Sequence, residues 1–179
     1  MKESMRLLTK AAFVLTLVFL SFSFSCQKQA KEQITEKEAK VLMDRYMEAT
    51  NKANLALIDE VCNPDFVLHT PASPKPIVGI EGYKAFVTNT SKAFSDFNCT
   101  IEELVVKGDR IWSRFTITGT NTGPLGEIPA TGKKFKVYGL AITRVANGKI
   151  VEDETFWNVL DLYQQLGFTL VPPKGMNRQ

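Results

Sequence analysis

Residues 135–157, FKVYGLAITRVANGKIVEDETFW, decide the fold. Two runs rich in β-branched and aromatic residues, Phe135–Val145 and Lys149–Trp157, flank Asn147-Gly148. Both of those residues tolerate positive φ, so the pair is the strongest hairpin signal in the chain. The pattern repeats upstream, where Phe97–Lys107 and Arg110–Thr120 flank Gly108-Asp109, another two-residue turn. Between the hairpins, Thr122 to Gly132 holds three glycines and two prolines and reads as a wide loop at one end of a sheet.

The chain before these strands follows a helical period. Thr35-Glu36-Lys37-Glu38 is a capping box, opening a helix with Ala39, Leu42, Tyr46, Ala49 and Ala53 on one stripe. Asn54 caps a shorter helix through Leu55, Ile58 and Val61, which Asn63-Pro64-Asp65 should end. Phe66-Val67-Leu68-His69-Thr70 reads as a strand and Pro71 to Gly79 as a loop. A third helix carries Tyr83, Phe86, Val87, Thr90 and Phe94, and Asn158 to Leu166 is a closing helix stopped by Gly167. Helices first and antiparallel strands afterwards predict an α+β domain, with helices on one face of a curved sheet and a pocket on its concave side. Apolar residues on both strand faces leave one sheet surface uncovered, which predicts a homodimer through the convex side.

Residues 1–26 read as a targeting segment. Lys2, Arg6 and Lys10 precede an apolar run from Ala11 to about Phe24, shorter than the ~20 residues of a membrane-spanning helix. Ser23-Phe24-Ser25-Cys26 resembles a lipobox, with Cys26 as the lipid acceptor and Ser23 where a Leu or Val is commoner. Residues 27–34 are a polar tether, 35–170 the domain and 171–179 a tail. The expectation is an exported lipoprotein, held at a membrane of the cell envelope by its lipid. Most of the formal charge of +3 lies in the first ten residues, so the remainder is nearly neutral and lacks a nucleic-acid footprint. Cys62 and Cys99 could pair in an oxidising compartment or remain buried thiols. With His69 as the sole histidine, no metal cluster is expected, and no Gly-rich phosphate loop or other cofactor motif is present.

Several motifs in order resemble the SnoaL-like (ester or polyketide cyclase) family of the nuclear transport factor 2-like superfamily. They are Phe66-Val67-Leu68-His69, Ala93-Phe94-Ser95-Asp96-Phe97, Gly108-Asp109-Arg110-Ile111 and Thr118-Gly119-Thr120-Asn121-Thr122-Gly123. Further along come Ile128-Pro129-Ala130-Thr131-Gly132-Lys133, Gly148-Lys149-Ile150-Val151-Glu152 and Gln164-Gln165-Leu166-Gly167. The resemblance covers about Lys37 to Gly167 and implies a cone-shaped antiparallel sheet around a pocket closed by helices. It also implies an intramolecular aldol-type ring closure in which an aspartate removes and returns a proton. Counted from the C-terminal motif, that aspartate falls on Asn158 and the family's histidine on Asn121. Amides can orient a carbonyl but cannot act as a general base. The resemblance therefore points to a pocket binding a small apolar carbonyl-type ligand, with cyclase or isomerase activity as the alternative if another residue supplies the base.

Replacements for the missing base are few. Alternation sends Glu152 and Glu154 to one sheet face and Asp153 to the other, and either face could point into the cone. Glu154 and His69 are the candidate acid–base residues. Asn158, Asn121, Tyr46, Trp112, Arg114, Tyr138 and Phe156 are the candidate ligand contacts, Arg114 for an anionic group and the aromatics as walls. Trp157 is a further candidate wall, and Asp161 lies near Asn158 on the closing helix.

Overall fold

A computed structural model of the chain describes residues 33–169 and residue 171. The expected targeting segment 1–26 with Cys26, the first part of the tether and residues 172–179 of the tail lie outside the described residues. Ile34, assigned from sequence to the tether, belongs to the domain. Its N–H donates to the Gly108 carbonyl at 3.2 Å and its side chain packs on the core.

Thr35 opens α1 (Glu36–Asn51) with both bonds of the capping box, its hydroxyl accepting from the Glu38 N–H and its own N–H donating to Glu38 Oε2 at 2.9 Å. Such a cap stabilises a helix by about 1 kcal/mol. The helix buries Ala39, Met43, Tyr46 and Ala49 at helical spacing. Ala53 lies beyond its end with φ 48°, in the left-handed link to the next helix rather than on the stripe. Asn54 accepts from the Leu57 N–H at 3.2 Å and caps α2 (Leu55–Val61).

β1 (Cys62–His69) follows α2 with no loop, so Asn63-Pro64-Asp65 sits inside a strand instead of ending a helix. The register shifts between Cys62 and Val67, and that irregularity is where a proline is tolerated. β2 (Ile77–Val78) pairs with β1 at the sheet edge, and α3 (Ile80–Ala93) follows. Phe94 lies just past α3, bridged to Asn121.

From here the chain forms β3 (Asn98–Lys107), β4 (Arg110–Thr120), β5 (Lys134–Ala146) and β6 (Lys149–Trp157), then α4 (Val159–Gln165). Asn147 and Gly148 take φ 53° and 70°, the two positive values that a type I′ hairpin demands. The six-stranded sheet has the order β2-β1-β6-β5-β4-β3. Neighbours are antiparallel except β1 and β6, which run parallel because β1 enters from the helical layer rather than through a hairpin. The α+β architecture of a curved sheet with helices on one face is thus present, with one parallel pair added.

A bulge in β6 sets which residues face inward. Ile150 pairs with Val145, Glu152 with Arg144 and Asp153 with Thr143. Three residues of β6 therefore span what two residues of β5 span, and the alternation inverts at Val151-Glu152. Ile150 and Asp153 are both buried on the inner, helix-covered face, beside Val145 and Thr143. At one end of that face, Tyr46, Phe66 and Tyr83 pack with Ile58, Ile111 and Ile150. At the other end, Phe94, Phe135, Val137, Leu162 and Leu166 form a second cluster. Between the clusters Phe115 lies against Gly139 of β5. A Cβ there would run into the Phe115 ring and approach the Phe156 carbonyl to 2.8 Å, so only glycine lets the ring lie on the strand.

Candidate functional site

Between the inner face and the helices lies a cavity of about 540 Å³. Its walls are mainly apolar, with Phe86, Phe94, Phe97, Phe115, Phe135 and Trp157 among them. The carboxylate in it is Asp153, at the level of the first aromatic cluster. Thr143 donates to Asp153 Oδ1 at 2.7 Å and Tyr46 donates to Oδ2 at 3.3 Å. The Tyr46 ring stacks on Tyr83, centroids 5.8 Å apart, and Phe66 meets both rings edge-on. Thr50 donates to the Tyr46 carbonyl at 2.9 Å, so the 2.8 Å contact between Thr50 Oγ1 and Tyr83 Oη uses the tyrosine proton. A hydroxyl network, with Tyr46, Thr50 and Tyr83 themselves on the cavity wall, thus holds a carboxylate that also lines the cavity.

Burial pushes the Asp153 carboxyl up to about 6, although the hydrogen bonds from Thr143 and Tyr46 pull it the other way. Burial is also the main cause of the rise in Tyr46 and Tyr83, which keeps both phenols protonated donors. Cys62 in the core and Cys99 on the cavity wall are unpaired thiols, each pushed up to about 12 mainly by burial. Neither is a thiolate nucleophile near neutral pH. Among the described residues, no group of three or more His, Cys, Asp or Glu side chains could hold a metal ion.

Of the contacts expected from sequence, Tyr46 lines the cavity, and so does Trp157. His69 and Glu154 lie on the other side of the wall, in a shallow groove bordered by Pro74, Pro76 and Phe156. There His69 Nε2 is 3.5 Å from Glu152 Oε1, and Glu152 in turn pairs with Arg144. The bulge at Val151-Glu152 directs Glu154 outward and Asp153 inward. Trp112, Tyr138 and Phe156 are between 48% and 59% exposed on the outer face. Arg114 is on that face too, bound to Glu102 and Glu103. None of these four enters the cavity, because the inner positions of their strands go to Ser113, Phe115, Val137, Ala141 and Trp157.

The two amides are structural. Asn158 caps α4 by accepting from the Asp161 N–H at 3.1 Å, and Asp161 sits in that first turn. Asn121 is fully buried. Its Nδ2 donates to the Gly123 and Ala93 carbonyls at 2.8 and 3.3 Å, and its Oδ1 accepts from the Thr131 N–H and hydroxyl at 2.8 and 3.0 Å. It ties together both ends of the loop 122–132 and the end of α3. Sequence reasoning named Asp153 only as the opposite face from Glu154. The adjacent apolar pair Ile150-Val151, which no simple alternation accommodates, was the available sign of the bulge.

Residues 40–166 match the family model described as SnoaL-like polyketide cyclase. The chain belongs to the SnoaL-like polyketide cyclase family. Among curated relatives of this SnoaL-like chain, the aklanonic acid methyl ester cyclase DauD of Streptomyces sp. (strain C5) is 30% identical over 121 residues. That match covers 66% of this chain and 72% of DauD. The aklanonic acid methyl ester cyclase DnrD of Streptomyces peucetius is 30% identical over 118 residues, 65% of this chain and 78% of its own. Among solved structures, TsrD from Streptomyces laurentii superposes with a TM-score of 0.67 at 28% identity, over 75% of this chain and 98% of TsrD.

Proposed function

We propose that this SnoaL-like domain binds a largely apolar carbonyl compound and that Asp153 moves a proton at the carbon next to the carbonyl. The carbonyl-type ligand follows from the relatives, cyclases of a methyl ester. One observation carries the chemistry: a buried carboxylate faces an apolar cavity, with its proton held to about pH 6. A base with that value is half ionised at about pH 6 and mostly ionised at neutrality, and general-base catalysis works best when the pKa lies near the working pH. The carboxylate takes the proton from carbon, the C–H electron pair moves toward the carbonyl oxygen, and the proton returns to carbon. In a ring closure the same carbanion equivalent attacks a second carbonyl of the folded ligand instead, the π pair of that carbonyl moves to its oxygen, and the oxygen takes the proton from Asp153. Asp153 thus takes the place that the cyclase alternative gave to Glu154 or His69.

The test is deuterium uptake at the acidic carbon of ethyl benzoylacetate. The wild type should accelerate it over buffer, and Asp153→Asn should remove roughly 10²–10⁴ of the rate. Binding of the ester with no acceleration would leave a binding protein, a reading favoured by the mainly apolar walls of the cavity.

We also propose the two attachments expected from sequence. Cys26 carries the lipid, so Cys26→Ala should shift the full chain from the membrane to the soluble fraction or leave it unprocessed. A second copy covers Trp112, Tyr138, Leu140 and Phe156, all exposed on adjacent strands β4 to β6. Arg114 and Glu103 sit together beside that patch, so a copy related by a two-fold axis can set opposite charges against each other.

A further inference from the structure

The hydroxyls that line the cavity differ in whether a hydrogen bond already engages them. The Tyr46 hydroxyl donates to Asp153, and the Tyr83 hydroxyl to Thr50. Thr155, on the same wall, donates to the His69 carbonyl at 3.2 Å. Ser113 of β4 is only 5% exposed and lines the cavity, and it takes part in none of the side-chain hydrogen bonds found among the described residues. No fully enclosed side-chain oxygen lacks a partner among the described residues, so this hydroxyl keeps accessible surface toward the cavity, where a guest can bond it.

The register places this hydroxyl relative to the carboxylate. Ser113 pairs with Ala141, Ala141 pairs with Thr155, and Thr155 is two residues along β6 from Asp153. Two strand spacings across and two residues along put the backbones of Ser113 and Asp153 about 12 Å apart. Both side chains project from the same curved inner face into one cavity, which shortens the gap between their polar ends. Ala141 between them is small and leaves the space open. We propose that Ser113 is the hydrogen-bond donor to the ligand's carbonyl oxygen and stabilises the enolate formed when Asp153 removes the neighbouring proton. This rests on the proposed function and names a second residue for it. In the step, the C–H bond breaks, its proton goes to the Asp153 carboxylate, and its electron pair forms the C=C bond of the enolate. The oxygen gains the negative charge and accepts from Ser113 Oγ–H, whose own proton stays on serine. Reversal returns the proton to carbon, and no other reactant is needed.

The experiment uses the full chain and ethyl benzoylacetate carrying ¹³C at the keto carbon. Two readouts separate Ser113 from Asp153: the ¹³C shift of the bound carbonyl, and deuterium exchange at the acidic carbon. The wild type should move the ¹³C resonance downfield of its position in an apolar solvent. Ser113→Ala should return it to the apolar value and lower kcat for exchange roughly 10²- to 10³-fold. KM and the pH midpoint of the rate should stay nearly constant, because Asp153 is untouched. Ser113→Thr, which keeps a hydroxyl, should recover both the shift and most of the rate. If the wild type shifts the resonance and Ser113→Ala abolishes the shift but neither protein exchanges, Ser113 binds the carbonyl and the role of Asp153 fails. If exchange is fast and Ser113→Ala alters neither readout, the assignment of Ser113 is overturned and that of Asp153 stands. Failure of the wild type to bind the ester overturns both.

Discussion

Asp153 and Glu154 are consecutive acids on one strand, yet they meet different solvents. Asp153 faces an enclosed apolar cavity, and burial holds its proton to about pH 6. Glu154 faces an open groove with His69 on the neighbouring strand. The same contrast runs across the sheet. The inner face pairs Thr143 with Asp153 in a hydrogen bond shielded from water, while the outer face pairs Arg144 with Glu152 and Arg114 with Glu102 in ion pairs open to it. Ion pairs of the exposed kind contribute little to stability, whereas a buried hydroxyl–carboxylate bond changes what the carboxylate can do. Location, more than residue type, separates the candidate base from its neighbours.

The hardest test of that contrast is to neutralise each acid in turn. Asp153→Asn should lower exchange of ethyl benzoylacetate by roughly 10²–10⁴, while Glu154→Gln leaves it near the parent rate. Equal losses from both variants would erase the distinction between the faces.

Stability should also separate them, with the opposite sign. The folded chain holds the Asp153 proton to about pH 6, against 3.8 for an unburied aspartate. Folding therefore binds that proton more tightly, and the contribution to stability is full below the lower value and lost as pH rises through the higher one. The difference corresponds to about 3 kcal/mol above pH 6. Asp153→Asn should accordingly unfold at higher denaturant concentration than the parent near pH 8, with the advantage vanishing near pH 4. A variant less stable than the parent at pH 8 would mean that the carboxylate is better solvated than its surroundings suggest.

Thr143 offers a smaller change within the inner face. Thr143→Val removes the 2.7 Å bond to the charged carboxylate, so the Asp153 carboxyl should rise above about 6. The midpoint of the pH–rate profile should move alkaline by about one unit, the equivalent of one charged hydrogen bond. The smallest effect belongs outside. Leu140→Ser should alter the stability of the isolated domain by no more than about 0.5 kcal/mol. It should still shift sedimentation toward the monomer if a second copy covers the outer face, and identical sedimentation of parent and variant would reject that interface.

Much of the fold was legible because local chemistry and global architecture agree. The Thr35 capping box, the Asn147-Gly148 turn and the apolar stripe of α1 each specify their element without help from distant contacts. Reading failed where tertiary packing overrides local signals. Pro64 looked like a helix stop, but pairing with β6 recruits its segment into β1. Simple alternation through β6 gave no means of choosing between Glu154 and Asp153, since one extra residue near Val151 reverses the facing of everything after it. The resemblance makes Asn121 and Asn158 candidate ligand contacts. The bonds of Asn121 reach a backbone carbonyl 28 residues away in sequence, whereas the cap made by Asn158 is local, three residues on, and of the same kind as the Asn54 cap.

The fastening of Asn121 has an evolutionary consequence. Its bonds close the segment 122–132 into a ring whose two ends are held by one side chain. Pro124, Leu125 and Gly126 of that ring line the cavity. The entropy of a closed loop grows only slowly with its length, so residues can be inserted or removed there while β4 and β5 keep their register. This stretch of wall is thus a replaceable cassette, through which selection can retune what binds without disturbing Asp153 on β6.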